Sequence, residues 1–455
     1  MKTVDVAAVI DESRFSGYQK LLIFGTALTV ILDGVDNQLL PNAVPAMMRE
    51  WGLARPAFAN AAAAGPFGMI IGGVLGGVLG DRIGRRGALL GSVLSFAAMT
   101  LAIAFVDTVT MLTVMRFLAG VGLGGAMPNA TALASEYAPR RQRPLAVTST
   151  IVCIPIGGVL AGLMAGQVLP TYGWRALFIA GGVVPIALSL VLFKVLPESP
   201  RYLASRRERW PELRALLRRI GHSVPDDVVF VEAASDGVVN SRASVRQLFA
   251  PELRRDTFGL FGAFFFCLLA IYVGFLWIPA MLTDPQVGFS QPNASYALSL
   301  FNFGGVAGAL LGALVIQRIG SRIALLGMSA LAIVSALVMT GLPLDPTSPL
   351  AVMTMFAVTG GLLNAVQTTM YALAAHVYPT DIRGTGVGTT VAFGRIGNVL
   401  ASYIGSWALT AGGPPMYFLT LAIAMTMVLL SLAVVRRHIP RTGSGGSEQP
   451  GSRRT

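Results

Sequence analysis

Twelve times along this chain the sequence runs through about 18 to 25 residues that are almost wholly apolar. A run of that length spans the hydrocarbon of a bilayer as a helix, and an α-helix is the way for a single apolar segment to satisfy its backbone there. The runs lie near 18–47, 57–79, 88–106, 109–135, 145–169 and 174–196. After a polar stretch at about 198–256, they resume near 257–282, 294–316, 322–341, 350–375, 384–410 and 415–435. The expected fold class is all-α, a multi-pass membrane protein with twelve transmembrane helices in two sets of six. Composition agrees: 54% of residues are apolar and 12% charged, and the 52 glycines are scattered through the apolar runs, where close helix contacts tolerate them.

The net charge of +12 does not point to nucleic acid, because of where the cations fall. Of the 34 Lys and Arg, all but five lie on one side of the expected membrane. Arg49, Arg55 and Arg175 lie on the other side, and Arg116 and Arg395 lie inside it. That asymmetry predicts that both termini are cytoplasmic. Cys153 and Cys267 sit in apolar runs, and His222, His376 and His438 are far apart, so no disulfide framework, metal site or cofactor is expected. No nucleophile–base constellation suggests an enzyme. Residues 1–17 are polar and the first apolar run is too long for a signal peptide.

The chain divides into a first set of helices over 1–197, a linker over 198–256, a second set over 257–435 and a tail over 436–455 expected to be disordered. In the linker, Leu213, Leu216, Leu217 and Ile220 recur at helical spacing among arginines. They predict an amphipathic basic helix lying on the anionic leaflet of the lipid bilayer. Internal repetition relates the two sets. Arg82-Ile83-Gly84-Arg85-Arg86 returns as Arg318-Ile319-Gly320-Ser321-Arg322, 236 residues on. Glu136-Tyr137-Ala138-Pro139 with Arg143 returns as His376-Val377-Tyr378-Pro379 with Arg383, 240 residues on. Parallel repeats of this kind describe a secondary transporter whose binding site lies between the halves near the midplane.

Within the first run stand two acids, Asp33 and Asp36. An aspartate at the centre of a spanning helix costs about 2.5 to 3.5 kcal/mol on the most lenient scales, so an intramembrane acid is read as functional. Spaced i, i+3, they share one helix face and are expected to look into one cavity. Gly34, Pro41 and Pro45 loosen the helix around them. Arg116 in the fourth run lies within about 5 Å of the same depth, so a charge pair between the first and fourth helices is open.

Gly77-Val78-Leu79-Gly80-Asp81-Arg82-Ile83-Gly84-Arg85-Arg86 resembles the signature loop of the major facilitator superfamily, and Arg116 with Gly120, Gly122, Gly124 and Gly125 resembles its second motif. The match narrows with Asp33-Gly34-Val35-Asp36, Gly124-Gly125-Ala126-Met127-Pro128-Asn129, Glu136-Tyr137-Ala138-Pro139, Tyr172-Gly173-Trp174-Arg175 and Pro197-Glu198-Ser199-Pro200-Arg201. Together these resemble the aromatic acid:proton symporter family over nearly the whole chain. The resemblance implies the two-bundle major facilitator fold in a bacterial inner membrane, working as a monomer, and proton-coupled uptake of benzoate-, hydroxybenzoate- or protocatechuate-like acids by alternating access. It implies proton coupling at Asp33, Asp36, Arg116 and Glu136, and gating at Asp81, Arg82, Gly84, Arg85, Arg86 and Arg383. Two positions depart from the family pattern: Gln317 stands where the repeated loop usually keeps an aspartate, and His376 where relatives carry Glu.

A flat carboxylate needs a cation at one end and apolar or aromatic walls at the other. Arg395 is expected to hold the carboxylate, with Asn398 and Tyr403 near it. Ring contacts are expected from Tyr272, Trp277, Phe301, Phe303 and Tyr371, and hydroxyl contacts from Asn129, Asn302, Asn364 and Gln367. Proton uptake by Asp33 or Asp36, loosening the hold on Arg116, is the expected coupling step. Two rivals stand beside this reading: a proton-driven exporter of drugs or other organic anions, and a membrane-embedded receptor for aromatic acids signalling through the 198–256 stretch.

Overall fold

The structure, a computed structural model, describes residues 3–222, 224–225, 228–231, 245–379 and 381–441. Helix α1 (Gly17–Trp51) opens on a capping box between Ser16 and Gln19 and closes at Gly52, whose φ of 64° is left-handed. There follow α2 (Ala59–Ile83), α3 (Arg85–Ile103) and α4 (Val109–Tyr137). Arg143–Val195 is one hydrogen-bonded run broken at Gly173 (φ 73°), which makes it two spans, α5 (143–172) and α6 (174–195). In the second half come α7 (Arg254–Leu276), α8 (Gln291–Ile319), α9 (Ser321–Gly341) and α10 (Pro349–Val377). Arg383–Val434 breaks at Gly412 and Gly413 into α11 (383–411) and α12 (414–434). Among the described residues ten helical runs are long and apolar enough to cross a membrane; two of these are the broken ones, each long enough to cross twice, which accounts for the twelve expected spans.

Glycines set the packing within each half. A Cβ on Gly34 would run into the backbone of Ile154, joining α1 to α5, and one on Gly308 into the backbone of Gly361, joining α8 to α10. The halves meet along α5–α8, where Gly158, Gly162 and Gly166 leave room for Asn302, Ser299 and Tyr296, and along α2–α11.

Both described chain ends and most of the arginines lie on one face, here the basic face. On the opposite face the halves are tied by Arg55 to Asp284 at 3.1 Å, Gln291 to the Asn42 carbonyl at 3.1 Å and Tyr403 to Asn60 at 3.0 Å. The seam between the halves is therefore tied on that side.

Two expectations are corrected here. The helix Trp210–Ile220 does not spread its apolar stripe on a leaflet: Leu213, Leu216, Leu217 and Ile220 are buried against Val6, Ile10 and Phe230 of the chain itself. Residues 3–5 form β1 (Thr3–Asp5), which pairs in parallel with β2 (Val229–Val231), so the polar N-terminal segment and the linker build a small cap on the first half. An amphipathic face binds the first apolar surface within reach, and the N-terminal segment supplies one. Residues 436–441, assigned to a disordered tail, are held on the α8–α9 turn, where Ser321 N–H donates to the Ile439 carbonyl at 2.9 Å. The rest of that tail and linker residues 232–244 lie outside the described residues.

Candidate functional site

Between the halves lies a cavity of about 490 Å³, within the range of small-molecule sites. Its walls come from α1, α2, α4 and α5 on one side and α7, α8, α10 and α11 on the other. The structure brings together in it Asp33, Tyr272, Phe301, Asn302, Asn364, Gln367, Tyr371, Arg395 and Asn398. Most of the remaining wall is aliphatic. Aromatic packing stiffens part of it: Tyr371 stands edge-on to Phe264 at 5.2 Å, and Tyr272 lies 4.8 Å from Phe275.

Four sequence candidates fall elsewhere. The Trp277 indole donates to the Ser402 carbonyl at 3.2 Å and packs beside Gly405 and Tyr417 inside the second half. Asn129 is fully buried and donates to the carbonyls of Gly76 and Gly125, so it fastens α2 to α4. Phe303 is 59% exposed on the outer surface of α8. Tyr403 reaches Asn60 near the opposite face. Apolar and amide residues of a spanning helix look alike in sequence whichever way they point, so nothing in their spacing separates these from the cavity residues.

The two acids, expected to share one cavity, do not. Three residues of helix place them about 60° apart round the axis, and that is enough to send them to different partners. Asp36 is fully buried and closed off: Arg116 Nη1 lies 3.2 Å from its Oδ2, and the Thr100 hydroxyl donates to Oδ1. This tie joins α1, α3 and α4 of one half. Asp33 lines the cavity and makes no side-chain hydrogen bond or ion pair among the described residues. Beside it on α1, Asn37 donates to the Tyr272 hydroxyl at 3.2 Å and Gln38 to Asn302 Oδ1 at 3.3 Å, so two amides that sequence reasoning missed link the halves at the cavity wall.

Arg395, expected to be an unpaired cation, lines the cavity but also donates from Nη1 to the Met69 carbonyl of α2 at 2.9 Å. The guanidinium keeps four further N–H groups for a ligand. The Oδ1 of Asn398, one turn away, is buried without a partner.

At the basic end of the first half, Asp81 and Arg85 pair at 2.5 Å, one turn apart on either side of Gly84. Glu136, expected to act with Asp33, Asp36 and Arg116, stands instead in this cluster: at the last turn of α4 it lies 20 residues from Arg116, about 30 Å along the helix. Its carboxylate accepts from the Ser199 hydroxyl and stands 4.0 Å from Arg85 Nε. The centre of the cluster is a residue the sequence reading quoted only within a motif. Glu198 Oε1 accepts from the backbone N–H groups of Arg86 and Ser199, each at 2.9 Å, and its carboxylate fills the space over Gly84. Arg86 also stacks its guanidinium 4.6 Å from the Phe193 ring, and the Arg82 carbonyl accepts from Tyr202 and Arg206. Arg383, on the second half, donates from Nε to the Tyr378 carbonyl at 3.4 Å, as its repeat partner Arg143 does to Ser135 at 3.0 Å.

Two six-helix halves around a cavity lined by both, with a charge cluster at helix ends, define a secondary transporter of the alternating-access kind. The comparisons agree. Residues 53–442 match the family described as Sugar (and other) transporter. The chain is 34% identical over 441 residues to the gallate transporter of Pseudomonas putida, covering 94% of each chain. It is 34% identical over 417 residues to the 4-hydroxybenzoate transporter of Pseudomonas putida, covering 90% of this chain and 91% of that one. Among solved structures, the D-xylose-proton symporter superposes with a TM-score of 0.68 at 18% identity, over 94% of this chain and 99% of that one. The chain belongs to the Sugar (and other) transporter family and, within the major facilitator superfamily, falls with the aromatic acid transporters. It is a membrane transporter and not an enzyme.

Proposed function

We propose that this transporter imports a small aromatic carboxylate together with a proton, as a monomer in a bacterial inner membrane, with the basic face and both termini in the cytoplasm. The observation that carries the reading is that Asp33, an acid with no hydrogen bond or ion pair among the described residues, and Arg395, a cation whose one described hydrogen bond goes to a backbone carbonyl, line the same largely apolar cavity. The similarity to gallate and 4-hydroxybenzoate transporters supports the substrate class. A planar guanidinium matches a carboxylate with two parallel hydrogen bonds, and the aliphatic and tyrosine walls suit a ring. The substrate carboxylate then takes guanidinium N–H groups that the Met69 carbonyl leaves free, so Arg395 links the substrate to α2 as well as to α11.

In this scheme Asp33 is the proton carrier, because it meets the cavity and makes no ion pair among the described residues. Asp36 and Arg116 stay paired and keep α1, α3 and α4 moving as one body. The Asp81–Arg85–Glu136–Glu198 cluster keeps the basic end of the first half rigid while the halves rock. The test is uptake of labelled 4-hydroxybenzoate into proteoliposomes with an inward proton gradient. Accumulation that a protonophore abolishes is expected. Uptake indifferent to the gradient removes the coupling, and no uptake of 4-hydroxybenzoate, protocatechuate or benzoate removes the substrate class.

A further inference from the structure

A second hollow, of about 680 Å³, lies outside the transport cavity, on the flank of the molecule where α2, α4 and α11 meet. It is graded in polarity. Asn60 and Thr110 stand in the first turns of α2 and α4, near the opposite face, with the Tyr403 hydroxyl bonded to Asn60 Oδ1 beside them. Four residues along α2, about 6 Å deeper, stands Ala64, and seven residues along each helix, about 10 Å deeper, stand Phe67 and Phe117, with the two rings 6.0 Å apart. No acidic or basic side chain lines it. Phe67 and Tyr403 are 51% and 44% exposed toward what is hydrocarbon in a membrane.

An apolar slot in that medium is filled by what the medium contains. The absence of charge rules out a carboxylate or a phosphate as the buried part, since neither leaves water without a partner. The gradient fits an acyl chain whose ester sits at the mouth. There the Nδ2 of Asn60 and the hydroxyl of Thr110 make no hydrogen bond among the described residues and can donate to an ester carbonyl. We propose that this slot is a binding site for one phospholipid acyl chain from the leaflet on the opposite face. Its walls belong to both halves, α2 and α4 on one side and Val399 and Tyr403 of α11 on the other. A chain seated there bridges the seam that also carries the Arg395–Met69 contact.

The experiment is native mass spectrometry of the delipidated full-length protein titrated with palmitoyl-oleoyl phosphatidylethanolamine. One lipid is expected to survive activation that strips the others. Ala64→Phe, which fills the floor of the slot, is expected to lower its occupancy about tenfold, and Ala64→Ser to leave it unchanged. Val399→Phe fills the slot from the other half and serves if Ala64→Phe does not fold. The proposal is overturned if the wild type retains no such lipid, if both fillings leave retention intact, or if 4-hydroxybenzoate displaces the lipid, which would make the slot an aromatic-acid site.

Discussion

The α2–α3 and α8–α9 turns are repeat partners with the same backbone and opposite chemistry. Gly84 (φ 101°, ψ 149°) and Gly320 (φ 81°, ψ 161°) take nearly the same left-handed conformation, 236 residues apart. Around Gly84 the ties are ionic: Asp81, Glu136 and Glu198 face Arg85 and two backbone N–H groups. Around Gly320 they are neutral: Ile439 N–H donates to Ser321 Oγ at 2.7 Å, and that hydroxyl meets His438 Nδ1 at 3.2 Å. Gln317 replaces the acid of the first copy, and His376 is an exposed residue on the same face. The same division holds at the midplane, where the first half carries Asp33 and the Asp36–Arg116 pair and the second contributes Arg395 among amides and tyrosines. Duplication preserved the turn geometry, while the acid cluster at the turn itself stands in the first half. One half thus holds its turn by its own carboxylates and the other by the C-terminal segment, which Asp256 anchors through the Arg436 N–H at 2.6 Å and Arg437 Nε at 3.8 Å, so the two respond differently to the same perturbation.

The largest expected effect tests whether the first half owns the coupling. Asp33→Asn should lower gradient-driven accumulation by more than 100-fold while leaving exchange of substrate across the membrane intact. Retained accumulation would move coupling away from this acid. Next comes the buried pair. Asp36→Leu or Arg116→Leu alone leaves a charge without its partner and should cost about 3–5 kcal/mol. The double substitution should recover most of that loss in thermal unfolding measured in detergent, and a purely additive double mutant would break the interpretation.

The turns themselves give the third test. A non-glycine residue at either position meets left-handed strain of about 1–3 kcal/mol. At Gly84 the new Cβ also lands 2.6 Å from the Glu198 carboxyl carbon, whereas at Gly320 its first contact is the Ile439 carbonyl at 3.2 Å. Gly84→Ala should slow uptake about tenfold and Gly320→Ala two- to threefold; equal effects would mean that Glu198 is not a strut. The smallest effect is pH-dependent. Burial pushes the His438 imidazole below its ordinary value, so the folded state favours the neutral ring. The second half should therefore lose stability as pH falls through the ordinary histidine range of about 6.5. His438→Asn should flatten that slope, read by thermal unfolding between pH 7.5 and 5.5, and leave the slope above pH 7 unchanged.

Much of the architecture was legible in the chain. Each apolar run became a span, and the repeats at Gly84 and Gly320 and at Arg143 and Arg383 became superposable turns and helix starts. The cavity was legible in part: Asp33, Arg395, Tyr371 and Asn398 reach it, while Trp277 and Asn129 turn into helix contacts. Glu198 was visible in a motif, but its contact with Arg86 was not, because a carboxylate that accepts from a backbone N–H 112 residues away leaves no local trace.

The sequence by itself determined what the bilayer demands. Length and apolarity dictate helices, since a single run of that length satisfies its own backbone there only as a helix; arginine placement points to an orientation, and internal repetition to the pairing of the halves. Only the tertiary structure decided which way each polar side chain points. A rotation of about 60° between Asp33 and Asp36 separates a cavity acid from a buried ion pair. Whether a buried group is open or locked depends on neighbours brought from Arg116 and Thr100, and periodicity along one helix carries no information about them.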